Sequence, residues 1–236
     1  KMLLAIRDQI RIKHPEFDLK LVYSGDRTDS KEDVKKDLEK AKMLKEKYPD
    51  FIVGFDLVGY EDEGNTTYYY IDTFLDNPDM PYYFHDGETK SFENKDMYDA
   101  VLLNSKRIGH GLNLFYFPNL EKELIKRDLA LEICPISNQA LNYIQDFRLH
   151  PARGYLQRGV PCVISSDDPA IFQNIGITFD FWVACMAWDL DLKALKQLAL
   201  NSIKYSSINK VEKQKALEAW ETKWNIFIEN LAQKNY

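Results

Sequence analysis

The sequence of 236 residues is 45% hydrophobic and 29% charged, proportions that are ordinary for a globular protein. Its net charge of −6 and pI of about 5.3 argue against nucleic acid or an anionic membrane as a partner, because an acidic protein repels polyanions. No apolar run approaches the roughly 18 residues of a membrane span.

Short apolar runs alternate with longer amphipathic segments, which predicts an α/β fold with a parallel sheet. The chain begins in a segment that predicts an amphipathic helix and not a signal peptide. Strands are predicted at 19–23, 51–57, 82–84, 107–109, 131–133 and 160–164. Helices are predicted at 30–47, 96–104, 120–127, 150–158, 169–188, 192–204 and 211–233. This strand number leaves two architectures open, a doubly wound sheet or part of a closed barrel.

Residues capable of catalysis follow three of the predicted strands. His85 and Glu88 follow the third strand, His110 follows the fourth, and the last strand leads into Asp167 and Asp168. In α/β enzymes the loops after parallel strands converge at one edge, and the site is built there. Each residue alone is more often a structural histidine, a solvated carboxylate or a helix cap. Their recurrence at successive strand ends favours a functional site.

Other candidate groups are left out of this predicted site. His14 and His150 each precede a proline and are interpreted as surface or capping residues without a catalytic role. No cluster of lysine and arginine is evident near the strand ends, which disfavours a phosphorylated substrate.

Several specific runs resemble the adenosine deaminase family over essentially the whole chain. They are His-Asp-Gly-Glu at 85–88, Gly-His-Gly at 109–111, Ser-Ser-Asp-Asp-Pro at 165–169 and Cys-Pro-Ile-Ser-Asn at 134–138. Within the family the sequence is most similar to the adenosine deaminase-related growth factors, the adenosine deaminase 2-like subfamily. The resemblance implies a (β/α)₈ barrel with one Zn²⁺ at the carboxyl ends of its strands. It also implies hydrolysis of adenosine and 2′-deoxyadenosine to inosine and 2′-deoxyinosine, with release of ammonia.

The resemblance assigns a role to each residue that matches a family motif. His85 and Asp167 match metal ligands, and imidazole and carboxylate are groups that suit zinc. Glu88 matches the catalytic glutamate that protonates the purine ring, which requires a raised pKa in a buried pocket. His110 matches the histidine that orients the attacking water.

Three further positions match residues that contact the substrate. Asp168 matches an aspartate that contacts both the water and the purine, so it is both a catalytic and a binding candidate. Gly59 and Gly87 match glycines next to the base and the catalytic glutamate. Asp86 departs from the family pattern, where a small residue is expected, and its charge is tolerable if it points away from the metal.

Part of the family pattern is missing. The family carries a His-x-His pair of zinc ligands after its first strand, and the sequence contains no such pair. The first strand predicted here matches the family's third. We therefore expect residues 1–236 to form a single catalytic barrel domain that holds strands three to eight, without the first two strands and any amino-terminal extension. His85 and Asp167 alone give two protein ligands, whereas catalytic zinc usually takes at least three.

Two explanations of this gap remain open. The chain is either part of a complete enzyme and inactive alone, or a shortened relative that acts as a growth-factor-like binding or signalling protein. Retention of the residues assigned to catalysis favours the first. A narrower alternative is a related zinc aminohydrolase that acts on adenine or an adenine nucleotide. The resemblance also implies a secreted, extracellular parent protein with a nucleoside substrate, and it allows a homodimer of the full-length protein.

Overall fold

The computed structural model describes residues 1–173 and 176–233, and these contain six strands that all pair in parallel. Strands β1 to β6 comprise Leu21–Asp26, Ile52–Val58, His85–Asp86, Arg107–His110, Ala130–Ile133 and Cys162–Ile164. β1 pairs with β2, and β3 to β6 pair in chain order. A parallel bridge between Phe55 and Tyr82 joins the two groups. The strand order therefore follows the chain order without the reversal of a doubly wound sheet, and the fold is part of a (β/α) barrel.

Helices connect these strands and continue after the last one. Within the described residues, α1 to α10 comprise Met2–Lys13, Lys31–Lys47, Ile71–Leu75, Asp96–Leu102, Pro118–Arg127, Pro135–Ala140, Ala152–Arg158, Ile177–Trp188, Leu192–Lys204 and Lys210–Gln233. Short 3₁₀ helices cover Thr67–Tyr70, Leu112–Tyr116 and Phe147–Leu149. None of the helices in the described ranges is long and apolar enough to cross a membrane.

The helix α2 illustrates how the sequence dictates an element. The hydroxyl of Ser30 accepts a hydrogen bond from the backbone N–H of Asp33 at 3.2 Å, which caps the helix. Val34, Leu38 and Ala41 recur at helical spacing and are fully buried against the first two strands. Removing side chains such as Val34 and Leu38 from water contributes roughly 1.5–3 kcal/mol each.

Most predicted elements differ from the structure by one to three residues at an end, and two predictions are wrong in more than that. Residues 82–84 do not form a regular strand, although their backbone makes hydrogen bonds to β2 and to the segment that contains β4. The regular pairing begins at His85. The helix predicted at 169–188 begins only at Ile177, after Gly176, whose φ of 107° is incompatible with a helix. The segment from Pro169 to Gln173 forms turns, in which the carbonyl of Asp168 accepts from two backbone N–H groups. Positions 174–175 of that predicted helix lie outside the described residues.

Candidate active site

A pocket of about 700 Å³ opens at the carboxyl ends of the strands. Its wall is formed by Val58, Gly59, Tyr60, His85, Glu88, His110, Leu141, Tyr143, Asp167 and Asp168. All the residues predicted from the sequence lie here except Gly87, which is buried behind the wall. The pocket wall contains no lysine or arginine among the described residues.

His85, at the start of β3, is oriented by Asp56 of the neighbouring strand. The Asp56 carboxylate lies 2.7 Å from Nδ1 of His85 and also accepts the backbone N–H of His85 at 3.0 Å. Burial lowers the pKa of His85, but the charge and hydrogen bond of Asp56 outweigh this and raise that pKa to about 10. The ring therefore keeps a proton on Nδ1, and Nε2 is the nitrogen available to a metal ion.

His110, at the end of β4, is almost fully buried, with 2% of its surface exposed. Its Nδ1 lies 3.2 Å from the side-chain nitrogen of Asn138 and 3.5 Å from Oε1 of Glu88. Burial is the main reason that its pKa is lowered to about 3, and the nearby His85 adds to the effect. His110 is therefore neutral at neutral pH.

The residues present fit a zinc ion. His85 and Asp167 place potential ligand atoms within 4.8 Å of each other and of a ring nitrogen of His110, which lies beside the position of the ion. Neutral imidazole nitrogen and carboxylate oxygen are ligands that Zn²⁺ takes in catalytic sites. The second-sphere hydrogen bond from His85 to Asp56 is the arrangement that orients metal-binding histidines in proteins.

A second acidic cluster, formed by Glu61, Asp86 and Asp96, is occupied by an arginine. The buried guanidinium of Arg27 donates to Asp86 and Asp96 at 3.1 Å each and to the carbonyl of His85 at 2.6 Å. Asp86 thus points away from the pocket, into this cluster. The cluster ties the end of β1 to the backbone that carries His85.

Glu88 lies on the loop after β3, and Glu61 holds that loop. One Glu61 carboxylate oxygen accepts the N–H of Gly87 at 2.9 Å, and the other accepts the N–H of Glu88 at 2.6 Å. Burial and then the charge of Asp167 raise the pKa of the Glu88 carboxyl to about 7. A carboxyl with this pKa can carry a proton near neutral pH and donate it to a ligand in the pocket.

The two predicted binding glycines differ in position. Gly59, with a φ of 110°, lines the pocket. Gly87 has a φ of 82°, and its N–H and carbonyl are engaged by Glu61 and by the backbone of Asn113. A Cβ at Gly87 would lie 2.8 Å from Oδ1 of Asn113, so only glycine fits there without displacement.

The interpretation of His150 as a surface residue is wrong, and the N-cap of α7 is Pro151, although the His150 ring does bond to the first residue of that helix. His150 is 2% exposed, and its Nδ1 accepts the N–H of Ala152 at the start of α7 at 3.0 Å. Its Nε2 lies 3.1 Å from the side-chain oxygen of Asn138. Packing of α8 explains the burial, since the Trp188 ring lies 5.2 Å from that of His150.

The sequence analysis missed the polar residues behind the pocket, notably Asp56, Glu61 and Asn138. A signal existed for Asp56, because an acidic residue inside the apolar run of β2 must find a buried partner. Asn138 belongs to one of the family-like runs, but no local pattern shows that it touches His110. Their roles depend on contacts between residues 26 to 29 positions apart.

Comparison with known proteins agrees with this geometry. The family model described as adenosine deaminase matches residues 6–223. The chain is 44% identical over 235 residues to adenosine deaminase 2 of Dictyostelium discoideum, covering 96% of this chain and 43% of that protein. It is 40% identical over 232 residues to adenosine deaminase 2 of Homo sapiens, covering 94% and 45%. The chain thus spans a little under half the length of these relatives.

Solved structures show the same fold at low sequence identity. A zinc-bound amidohydrolase from Burkholderia ambifaria has a TM-score of 0.78 at 19% identity, covering 90% of this chain and 58% of that one. An adenine deaminase from Arthrobacter aurescens has a TM-score of 0.73 at 22% identity, covering 87% and 61%. The fold is therefore that of the (β/α) barrel class. Within that class, the family model and the relatives place the chain in the adenosine deaminase family, to which it belongs.

Proposed function

We propose that this chain supplies most of the active site of a zinc-dependent adenosine deaminase that acts on adenosine and 2′-deoxyadenosine. The observation that carries the proposal is the convergence of His85, Glu88, His110, Asp167 and Asp168 on one pocket. These residues come from three different strand ends, and packing alone gives no reason for their convergence. The activity belongs to the complete barrel, and we expect residues 1–236 alone to be inactive.

His85 and Asp167 are the residues of this chain that would hold the zinc ion. Zinc, when bound, lowers the pKa of water and so makes hydroxide available at neutral pH. His110 would orient the attacking water. Its neutral ring suits this role, since a cationic ring would compete electrostatically with the metal.

Glu88 would donate a proton to the purine ring nitrogen as the water attacks the carbon bearing the amino group. The proton removes the negative charge that the attack would otherwise place on the ring. Asp168, which is exposed on the pocket wall, would contact the water and the purine. Gly59, also on the wall, would present its backbone to the base, and Gly87 holds the backbone next to Glu88.

The charge of the pocket favours a nucleoside over a nucleotide. Three carboxylates line the pocket, and the described part of its wall offers no cationic side chain to pair with a phosphate. Relative rates on adenosine, AMP and adenine test this preference. We expect adenosine to react fastest. A higher kcat/KM for AMP or adenine would contradict this and would indicate a related aminohydrolase that acts on adenine or an adenine nucleotide.

The central test uses the complete protein with added zinc, and it follows the absorbance change as adenosine becomes inosine. We expect Glu88→Gln to lower kcat by about 10²–10⁴-fold, because glutamine cannot donate the proton. The exposed Glu93, on the same loop, provides the matched control Glu93→Gln, which should leave kcat unchanged. An inactive complete protein, or a Glu88→Gln variant as active as the control, contradicts the proposal.

The growth-factor-like role, the extracellular location and the homodimer remain predictions. The catalytic and signalling roles make different claims about Glu88. If Glu88→Gln abolishes every cellular effect of the complete protein, the non-catalytic role fails. If it abolishes deamination and leaves a cellular effect intact, the protein has both roles.

A further inference from the structure

A chain of hydrogen bonds behind the pocket wall ends on His110. It begins at the backbone N–H of Ala152, which lies 3.0 Å from Nδ1 of His150. A backbone N–H can only donate, so this Nδ1 accepts and carries no proton. The direction of the first bond is therefore fixed by chemistry.

The direction of the first bond determines that of the next one, between His150 and Asn138. His150 is buried, and burial lowers its pKa to about 3, so the ring is neutral at neutral pH. A neutral ring without a proton on Nδ1 carries it on Nε2, which lies 3.1 Å from Oδ1 of Asn138. His150 therefore donates to Asn138. This bond fixes which way round the fully buried amide of Asn138 lies.

The orientation of the Asn138 amide in turn determines the direction of its hydrogen bond to His110. The side-chain nitrogen of Asn138 has only protons to offer, and it lies 3.2 Å from Nδ1 of His110. That Nδ1 must accept, so the neutral ring carries its proton on Nε2. Within the described part of the chain Nε2 has no hydrogen-bond partner, and His110 lines the pocket.

We propose that His150 is a positioning residue that acts through Asn138 to hold His110 in the tautomer with its proton on Nε2. His110 then presents a hydrogen-bond donor, and no lone pair, to the water that attacks the substrate. The catalytic meaning of this tautomer rests on the proposed function, whereas the tautomer itself follows from the contacts.

Glu88 offers the competing arrangement. Its Oε1 lies 3.5 Å from Nδ1 of His110 and makes no hydrogen bond to the described residues. If an ionised Glu88 accepted a hydrogen bond from Nδ1, His110 would carry its proton there, and the lone pair on Nε2 would face the pocket. Asn138 is the closer partner, and the two arrangements exclude each other.

Nitrogen NMR of the complete, zinc-loaded protein with ¹⁵N-labelled histidine distinguishes them. The shifts and two-bond couplings of a histidine ring identify which nitrogen is protonated, and a His110→Gln sample assigns the signals. We expect a protonated Nε2 and a bare Nδ1 in His110. A proton on Nδ1, or a proton on neither nitrogen, overturns the proposal.

Two variants test the dependence on His150. Leucine is apolar and cannot donate, so in His150→Leu the Asn138 amide can turn over, and His110 should show a mixture of tautomers. Glutamine can donate from the position of Nε2, so His150→Gln should restore the single tautomer. We expect kcat for adenosine to fall at least tenfold in His150→Leu with KM changed by less than about threefold, and to recover in His150→Gln.

The readouts separate this proposal from the proposed function. If His150→Leu leaves both the tautomer and kcat unchanged, His150 does not position His110. A second outcome is that the wild-type protein fails to deaminate adenosine while the nitrogen signals of His110 still differ as expected between the wild type and His150→Leu. In that case the proposed function is wrong and the hydrogen-bond chain is supported. The tautomer of His110 in the wild-type protein is read without His150→Leu, so poor folding of that variant does not prevent a decision.

Discussion

The pKa of each histidine around the pocket depends on its hydrogen-bond partner as well as on its burial. His110 and His150 are bonded to the amide of Asn138, and burial lowers both pKa values to about 3. His85 instead faces the Asp56 carboxylate, and its pKa rises to about 10 despite the same kind of burial. Two neutral rings therefore accompany one ring, that of His85, which the Asp56 carboxylate keeps protonated on Nδ1.

His150 should make the protein sensitive to acid. The unfolded state binds a second proton on this ring near pH 6.5, whereas the folded state binds it only near pH 3. Between these values the unfolded state holds more protons, so stability present above pH 6.5 is lost as the pH falls. We expect the stability of the wild type relative to His150→Gln to drop by about 2 kcal/mol from pH 7 to pH 5.

Urea denaturation of the complete protein at these two pH values measures the difference. His14 is exposed, so His14→Gln is the matched control and should follow the wild type at both values. Parallel acid responses of the wild type and His150→Gln would show that His150 does not resist protonation in the folded protein.

The site residues that could be predicted from the sequence are those that follow a strand directly. His85, Glu88 and His110 stand next to apolar runs whose carboxyl ends had to meet at one edge. Asn138 could not be predicted in this way, because its neighbours in sequence say nothing about His110. The tautomer of His110 depends on a donor at Ala152, 42 positions away in the sequence, so it required the three-dimensional contacts.

Among the elements, helices with a strong hydrophobic periodicity were predicted well, and segments with irregular backbone were not. The bounds of α9 agree with the prediction, and α2 begins one residue after the predicted start. The third strand was placed three residues too early, because residues 82–84 are apolar but pair irregularly. The start of α8 was misplaced because the pattern of hydrophobicity continues through turns that the Asp168 carbonyl stabilises.

The loop after β3 should tolerate no side chain at Gly87. Its φ of 82° already costs an L-residue about 1 kcal/mol, and a Cβ would also lie 2.9 Å from Sδ of Met97. Gly159 has nearly the same φ, 83°, but a Cβ there would meet open space. We therefore expect Gly87→Ala to lower the melting temperature and the kcat more than Gly159→Ala does.

Comparing the two variants isolates the steric effect, because both carry the same backbone strain. Thermal denaturation gives the stability, and the adenosine assay gives the effect on Glu88, whose N–H follows Gly87 on the Glu61 carboxylate. Equal losses in both variants would mean that the loop is free to move away from Asn113 and Met97.

At the scale of the whole molecule, the parallel strands form an arc with two ends. In the described residues β1 pairs only with β2, and β6 pairs only with β5. Val22 of β1 and Val163 and Ile164 of β6 line one open cavity of about 400 Å³. An unpaired strand edge next to apolar side chains readily pairs with another chain.

Residues 1–236 produced alone should therefore self-associate. We expect them to sediment as oligomers or aggregates and to unfold at a lower temperature than the complete protein, because nothing within the described chain covers both strand edges and the cavity between them. Sedimentation velocity and thermal denaturation at matched concentrations measure both effects. A monomer that unfolds as cooperatively and at the same temperature as the complete protein would show that the arc is stable without further strands.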